Sequence, residues 1–328
     1  MPPWLHPQLD ADGRLRFDAF MELALYDSEH GYYTTRISDV GRGADFSTSA
    51  TISSTLGRAV AHWIASHPIR NIIEIGAGNG ALAHAARKSL PILKRLRLKL
   101  HIVERSPVLR KLQQELLGNK ATWHETIHSA LAATNGEALI YSNEVPDAFS
   151  ARIFRATKFD DVYEELFLKP LGDSLTESWS PASDLPDSTI FTHSWPEGQV
   201  IEVLDSYRNW LLDWVPDWKS GSILTIDYGD HPQGIYDRRP GGSLRGYFLH
   251  QLVTGPTCYQ HAGLQDLTTD VNFDDLVHWS TPLALQTVSY QTQAEFLAPH
   301  ARQTHADQFL TDPTTVGGAF KVLEQKRT

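Results

Sequence analysis

The run Glu74-Ile75-Gly76-Ala77-Gly78-Asn79-Gly80 is the segment best suited to chemistry. Glycines let a backbone turn sharply and come close to a ligand where a Cβ would clash. A helix beginning at Ala81 would turn free N–H groups toward an anion or carboxylate. Glu104 ends the next apolar stretch, where a carboxylate can accept two hydrogen bonds from a ribose diol. Glycine turn and acid in this order indicate a nucleoside cofactor. Gly76, Gly78 and Ala81 also fit the dinucleotide fingerprint, so an NAD-dependent enzyme is the rival reading. Glu74, two residues before the first glycine, and Gly80, after Asn79, favour S-adenosylmethionine, whose amino-acid moiety suits such a loop. A second polar cluster, Ser142-Asn143-Glu144-Val145-Pro146-Asp147, would face the reactive part of that ligand, unless Asn143 and Asp147 merely cap a helix.

Three other patterns carry less. His124-Glu125-Thr126-Ile127-His128 spells a zinc-protease motif, but His124 ends an expected strand, so the two imidazoles do not share a helical face. No metal is expected. Gly172-Asp173-Ser174-Leu175, with Asp275 and His278, spells a serine-esterase motif in a polar mid-chain loop. Cys258, near His261, is the single cysteine and reads as inert.

These residues need elements to position them. Helical spacing marks Phe17 to Tyr26 and Ile52 to Ser66, with a loop rich in Gly, Ser and Thr between them. Strand and helix patterns then alternate: Asn71 to Gly76, Ala81 to Ser89, Leu98 to Glu104, Pro107 to Leu117, Ala121 to His124, Thr126 to Ala133, Ala138 to Ser142. Such alternation means a parallel sheet with helices on both faces. Beyond Asp147 the period becomes two, with Arg152 to Thr157 and Val162 to Lys169 as an antiparallel pair and 172–194 as irregular hairpin or loop. A helix over about 198–217 is expected to turn Trp210, Trp214 and Trp218 to the core. Ser222 to Asp227, Leu285 to Gln291 and Phe320 to Glu324 complete the strands. The basic run Lys94 to Lys99 reads as a solvated face.

The chain has 328 residues, enough for about two domains, or one with a large insertion. Its 41% hydrophobic and 21% charged residues exclude general disorder. A net charge of −10 argues against nucleic acid as partner. One cysteine excludes an internal disulfide framework, and no apolar run is long enough to span a membrane. The expectation is a soluble, cytoplasmic protein.

Taken together, these motifs resemble the MidA family, the mitochondrial complex I assembly methyltransferases and their bacterial relatives. The resemblance rests on Ala24-Leu25-Tyr26-Asp27 through Tyr33, Gly41-Arg42-Gly43-Ala44-Asp45-Phe46, the Glu74 to Gly80 turn and Val103-Glu104-Arg105-Ser106-Pro107. It continues through Asn143-Glu144, Asp147-Ala148, Ile226-Asp227-Tyr228-Gly229, Ser243 to Tyr247 with His250, Asp266-Leu267-Thr268, and Asp312-Pro313 with Phe320 to Leu323. It implies a Rossmann-like, seven-stranded class I methyltransferase sheet. Residues 1–66 would form an N-terminal helical extension. Residues 67–328 would form the methyltransferase domain, with antiparallel and helical insertions at about 151–220 and 230–280. The cofactor would be S-adenosylmethionine, with Gly43, Asp45, Arg105 and Asn143 joining Glu74, Gly76, Gly78, Gly80 and Glu104 around it. The acceptor would be an arginine of a protein such as a complex I subunit; a homodimer is one option for the assembly. Carboxylates that grip two guanidinium nitrogens can aim the third at a methyl group. Glu144 and Asp147 are the first choices for that grip, with Asp227, Asp266 and His250 behind them. Two departures stand out. Ala50-Thr51 replaces the family's Pro-Glu, and Ser150 replaces a proline, so a non-catalytic assembly factor that keeps the cofactor fold is the alternative.

Overall fold

Short apolar runs, closed by glycine, proline or an acid, become the central strands. The computed structural model describes residues 1–36, 52–159, 162–249 and 251–328. The chain divides into two compact units, one formed by Met1–Ile37, Pro146–Trp210 and Asp230–His278, the other by Ser38–Val145, Leu211–Gly229 and Trp279–Thr328.

The second unit holds seven strands of the main sheet, the number expected from the sequence. Its strands are β1 (Asn71–Ile75), β2 (Lys99–Val103), β3 (Ala121–His124), β4 (Leu139–Asn143), β5 (Ser222–Asp230), β6 (Leu285–Thr292) and β7 (Phe320–Arg327). Their spatial order is β3-β2-β1-β4-β5-β7-β6. The first five run parallel, and β7 lies antiparallel to both β5 and β6. Parallel strands covered on both faces are apolar throughout. Accordingly Ile72, Ile102, Leu139, Ile226 and Val322 share one core with Leu56, Val60 and Ile64 of helix Thr55–Ser66 and Leu82 of helix Ala81–Ser89. The register sets Ile75 beside Val103 and Ser142, so the loops after β1, β2 and β4 open on one edge. In open α/β sheets ligands bind at that edge.

In the other unit, Tyr163–Leu171 pairs antiparallel with Leu15–Arg16, Arg152–Ala156 and Ser174–Pro181, and Arg152–Ala156 pairs with Val200–Val203. A smaller sheet runs Gln251–Thr254, Arg245–Phe248, Asp266–Thr268, all antiparallel. Helix Phe17–Tyr26 buries Phe17, Phe20, Met21, Ala24 and Leu25.

One expectation needs correction. Residues 198–217 are not one helix: Val200–Val203 is a strand, and the helix spans Asp205–Trp214 before the 3-10 turn Val215–Asp217. The apolar sequence Val200-Ile201-Glu202-Val203 finds a ladder on Arg152–Ala156, and tertiary pairing overrides helix propensity. The aromatic stripe still packs inward, with Trp214 and Trp218 fully buried. The basic run is solvated, as expected, and most of it forms a helix, Ile92–Arg97, which follows Pro91, buries none of its residues and leads into β2.

Candidate functional site

The loop after β1 takes its shape from glycine. Gly76, Gly78 and Gly80 have φ of 63°, 53° and 84°, a left-handed region that other residues enter at a cost. A Cβ on Gly76 would lie 2.7 Å from Val145 Cγ2. The loop closes through Gly76 N–H to Val103 O (3.0 Å) and Gly80 N–H to Ala77 O (2.8 Å). Asn79 Oδ1 then accepts from Ala81 N–H at 3.1 Å, at the start of helix Ala81–Ser89.

Glu104 follows β2 with its backbone N–H on His124 O at 3.0 Å. Its buried carboxylate accepts from Ser106 N–H (2.9 Å) and from Gln113 Nε2 (2.9 Å), and burial raises its pKa. Gln113 was not anticipated from the sequence. Fully buried, it donates from Nε2 to Gly78 O (2.8 Å) as well as to Glu104, and its Oε1 accepts from Trp123 Nε1 (3.0 Å). One side chain thereby ties the glycine loop to the acid. The signal was present: Leu109, Gln113 and Leu117 form the buried face of helix Pro107–Leu117, so an amide stands where an apolar side chain would be expected.

Glu74, inside β1, is buried and accepts from the Tyr141 hydroxyl at 2.9 Å. Burial pushes its pKa up to about 8, Tyr141 opposes the rise and the charge of Glu104 adds to it. Arg105 is exposed. At the end of β4, Asn143 Nδ2 donates to Glu144 Oε1 at 2.8 Å, while Asn143 Oδ1 is buried and meets no hydrogen-bond partner among the described residues. Glu144 has φ of 56°, and its N–H binds Ile226 O at 2.9 Å. Asp227, on the adjacent strand β5, is fully buried and accepts from Tyr228 N–H at 2.8 Å. The left-handed glycines, the buried acid of Glu104 and the Asn143 oxygen suit a ligand that carries an amino-acid group and a ribose.

The remaining acids lie in the other unit. Asp147, in the 3-10 turn Pro146–Ala148, is buried and accepts from the Thr268 hydroxyl at 2.8 Å. Asp266, buried on its short strand, accepts from the Tyr33 hydroxyl at 2.8 Å. Burial first, and then the negative Asp147, push Asp266 up to about 7. Tyr33 stacks on Tyr26 with ring centroids 5.5 Å apart, and the Tyr26 hydroxyl donates to Ala148 O at 2.9 Å. Within this unit the structure therefore brings Asp147 and Asp266 together. Gly43, Asp45, His250 and the Ala50-Thr51 departure lie outside the described residues.

The other patterns sit elsewhere. His124 closes β3 against His101 (3.0 Å), whereas His128 opens a helix and binds Asp213 (2.8 Å) and Asp217 (3.0 Å). Ser174 donates to Leu171 O beside the hairpin turn, and Asp275 instead takes the hydroxyls of Ser188 and Thr189. Burial pushes the Cys258 thiol up to about 12.

Comparison with known proteins gives a consistent picture. The profile of the family described as "Putative S-adenosyl-L-methionine-dependent methyltransferase" matches residues 55–290. The mitochondrial protein arginine methyltransferase NDUFAF7 homolog of Drosophila melanogaster is 25% identical, over 97% of this chain and 83% of the fly protein. Mitochondrial protein arginine methyltransferase NDUFAF7 of Danio rerio is 27% identical, over 83% of this chain and 70% of its own. A crystal structure of a Burkholderia thailandensis protein bound to S-adenosyl-homocysteine superposes with a TM-score of 0.84 at 24% identity, covering 97% of this chain and 89% of that one. At that identity it speaks for the fold. These relatives overturn the cytoplasmic expectation, because they are named as mitochondrial proteins. A lone cysteine excludes an internal disulfide in any compartment, so it never separated cytoplasm from organelle. Among the described residues no helix is long and apolar enough to cross a membrane.

Proposed function

The chain belongs to this S-adenosyl-L-methionine-dependent methyltransferase family, and from that premise we propose that it methylates an arginine of a protein. The observation that carries the proposal is Glu144. A non-glycine residue in left-handed backbone costs energy that a fold seldom spends without purpose. Here it pins a carboxylate at the end of β4, the sheet edge onto which the glycine loop opens, with Asn143 Nδ2 fixing its head. The two curated relatives, both named protein arginine methyltransferases, support the acceptor class.

Bound S-adenosylmethionine supplies a methyl group on a positive sulfur. The work of this chain is to align and to handle charge. The glycine loop holds the amino-acid end, and Glu104, aimed by Gln113, takes the ribose hydroxyls. Glu144 grips the guanidinium and receives the proton that the reacting nitrogen sheds. Asp227, in the same unit, is second in that role. The segments at about 151–220 and 230–280 are the parts we assign to acceptor recognition.

Glu144→Gln tests the reading. Glutamine keeps an oxygen for Asn143 and removes the charge. S-adenosylhomocysteine should bind normally by calorimetry. Transfer of label from S-adenosylmethionine to an acceptor, with a complex I subunit tried first, should slow at least about tenfold, since a charge-assisted hydrogen bond contributes roughly 1.5–3 kcal/mol. Parent-rate transfer would remove Glu144 from the mechanism.

A further inference from the structure

Helix Ala81–Ser89 begins at the glycine loop, and its far end helps to line a second feature of the same unit. A cavity of about 740 Å³ is lined by Arg58, His62, His84, Lys88, His300 and Arg302, with alanine, serine and proline between them and no carboxylate. In a chain of net charge −10 this is a local reversal of sign.

Arg58 is already committed. Its Nε donates to His300 O (3.0 Å), Nη1 to Ser54 Oγ (2.8 Å), and Nη2 meets Asp307 Oδ2 (3.2 Å). Asp307 also accepts from the hydroxyls of Ser53 and Thr55 and from Arg302 N–H, so its charge is absorbed at the rim. No carboxylate pairs with the side chains of Lys88, Arg302, His62 or His84 among the described residues. His300 records the resulting field: burial first, and then His62 and Arg58, hold its imidazole below the usual value. The rings of His62 and His300 stand 5.0 Å apart.

Lys88 and Arg302 thus line the groove without a counter-charge, which a bound anion would supply. The volume falls within the roughly 300–1,000 Å³ of small-molecule sites. Guanidinium, ammonium and imidazole heads are the groups that hold phosphate oxygens. We propose that this groove is a second ligand site, which binds a phosphate-bearing anion.

Two sources can supply that chemistry. One is a soluble phosphorylated molecule. The other is an anionic lipid headgroup, because just beyond Pro91 the helix Ile92–Arg97 leaves Ile92, Leu93 and Leu96 exposed at 63%, 67% and 75%. Apolar side chains beside cations are what a peripheral membrane contact uses.

Calorimetry on the full chain loaded with S-adenosylhomocysteine, titrated with inorganic pyrophosphate at low ionic strength, should show saturable binding that weakens with salt. Lys88→Glu combined with Arg302→Glu should lower that affinity at least about tenfold, with S-adenosylhomocysteine affinity and thermal midpoint unchanged. If the reversal lowers the midpoint, Lys88→Gln with Arg302→Gln is measured instead and should show a smaller loss. Flotation with vesicles of phosphatidylglycerol and phosphatidylcholine separates the sources. Flotation that Leu93→Ser with Leu96→Ser abolishes, leaving pyrophosphate binding intact, assigns the lipid headgroup; pyrophosphate binding without flotation assigns a soluble phosphate. A parent protein that neither binds millimolar pyrophosphate nor floats overturns the proposal. So does a charge-altered variant that matches the parent in both assays. Intact S-adenosylhomocysteine binding in every arm keeps this outcome separate from the fate of the methyltransferase reading.

Discussion

Gln113 ties together the buried Glu104 carboxylate and two half-buried groups, Gly78 O and Trp123 Nε1. Gln113→Leu would take this partner from Gly78 O and Trp123 Nε1 and leave Glu104 with the Ser106 N–H, at about 1–3 kcal/mol for each group left unpaired and dry. Affinity for S-adenosylhomocysteine should therefore fall at least about tenfold by calorimetry, and a parent-like value would show that Gln113 is packing and nothing more. Asp266 offers a second test at this scale. Folded, it keeps its proton up to about pH 7, whereas an unfolded carboxyl loses it near the ordinary value. Between those limits the folded state binds more protons, so this contribution to stability is fully present at low pH and is lost as pH rises through about 7. Asp266→Asn cannot ionise, and the decline of its thermal midpoint from about pH 5 to about pH 8 should be shallower than the parent's. Equal slopes would mean that the proton is not held. The cofactor turn was legible in the sequence because glycine spacing is a local signal. Gln113 escaped because its role depends on partners from another strand and another loop. The coupling of Asp147 to Asp266 escaped because only folding makes the two acids neighbours.

Elements were readable where their ends carry chemistry. Helix Pro107–Leu117 begins with a proline, is capped by the Ser106 hydroxyl and stops at Gly118; Ala81–Ser89 starts straight after Gly80. Both match the sequence reading residue for residue. Strand Val200–Val203 was lost because its partner lies far back along the chain, and helix Ile92–Arg97 because it turns no apolar stripe to a core. The join into β5 shows how tightly an element boundary can be set. Gly221 has φ of 137°, and a Cβ there would lie 1.9 Å from Ala138 O. That oxygen is not free to retreat, since Trp218 Nε1 donates to it at 3.0 Å. Gly221→Ala should cost about 2–3 kcal/mol or more, read as a lower denaturant midpoint with an unchanged slope. An unmoved midpoint would show that the join relaxes freely.

At the scale of the molecule, each unit is assembled from three separate stretches of chain. The sheet unit carries the matter furthest. β7, built from Phe320–Arg327, is the last of the seven strands in sequence, yet it lies inside the sheet between β5 and β6. During translation, then, β5 waits without its long antiparallel partner and β6 has no neighbour in the sheet until residues 320–327 have left the ribosome. The glycine loop is synthesised early, but the sheet beneath it is completed late. A nascent chain would thus gain cofactor-dependent protection from proteases only after β7 is delivered, and such protection would report a closed sheet, not an early-folding first half.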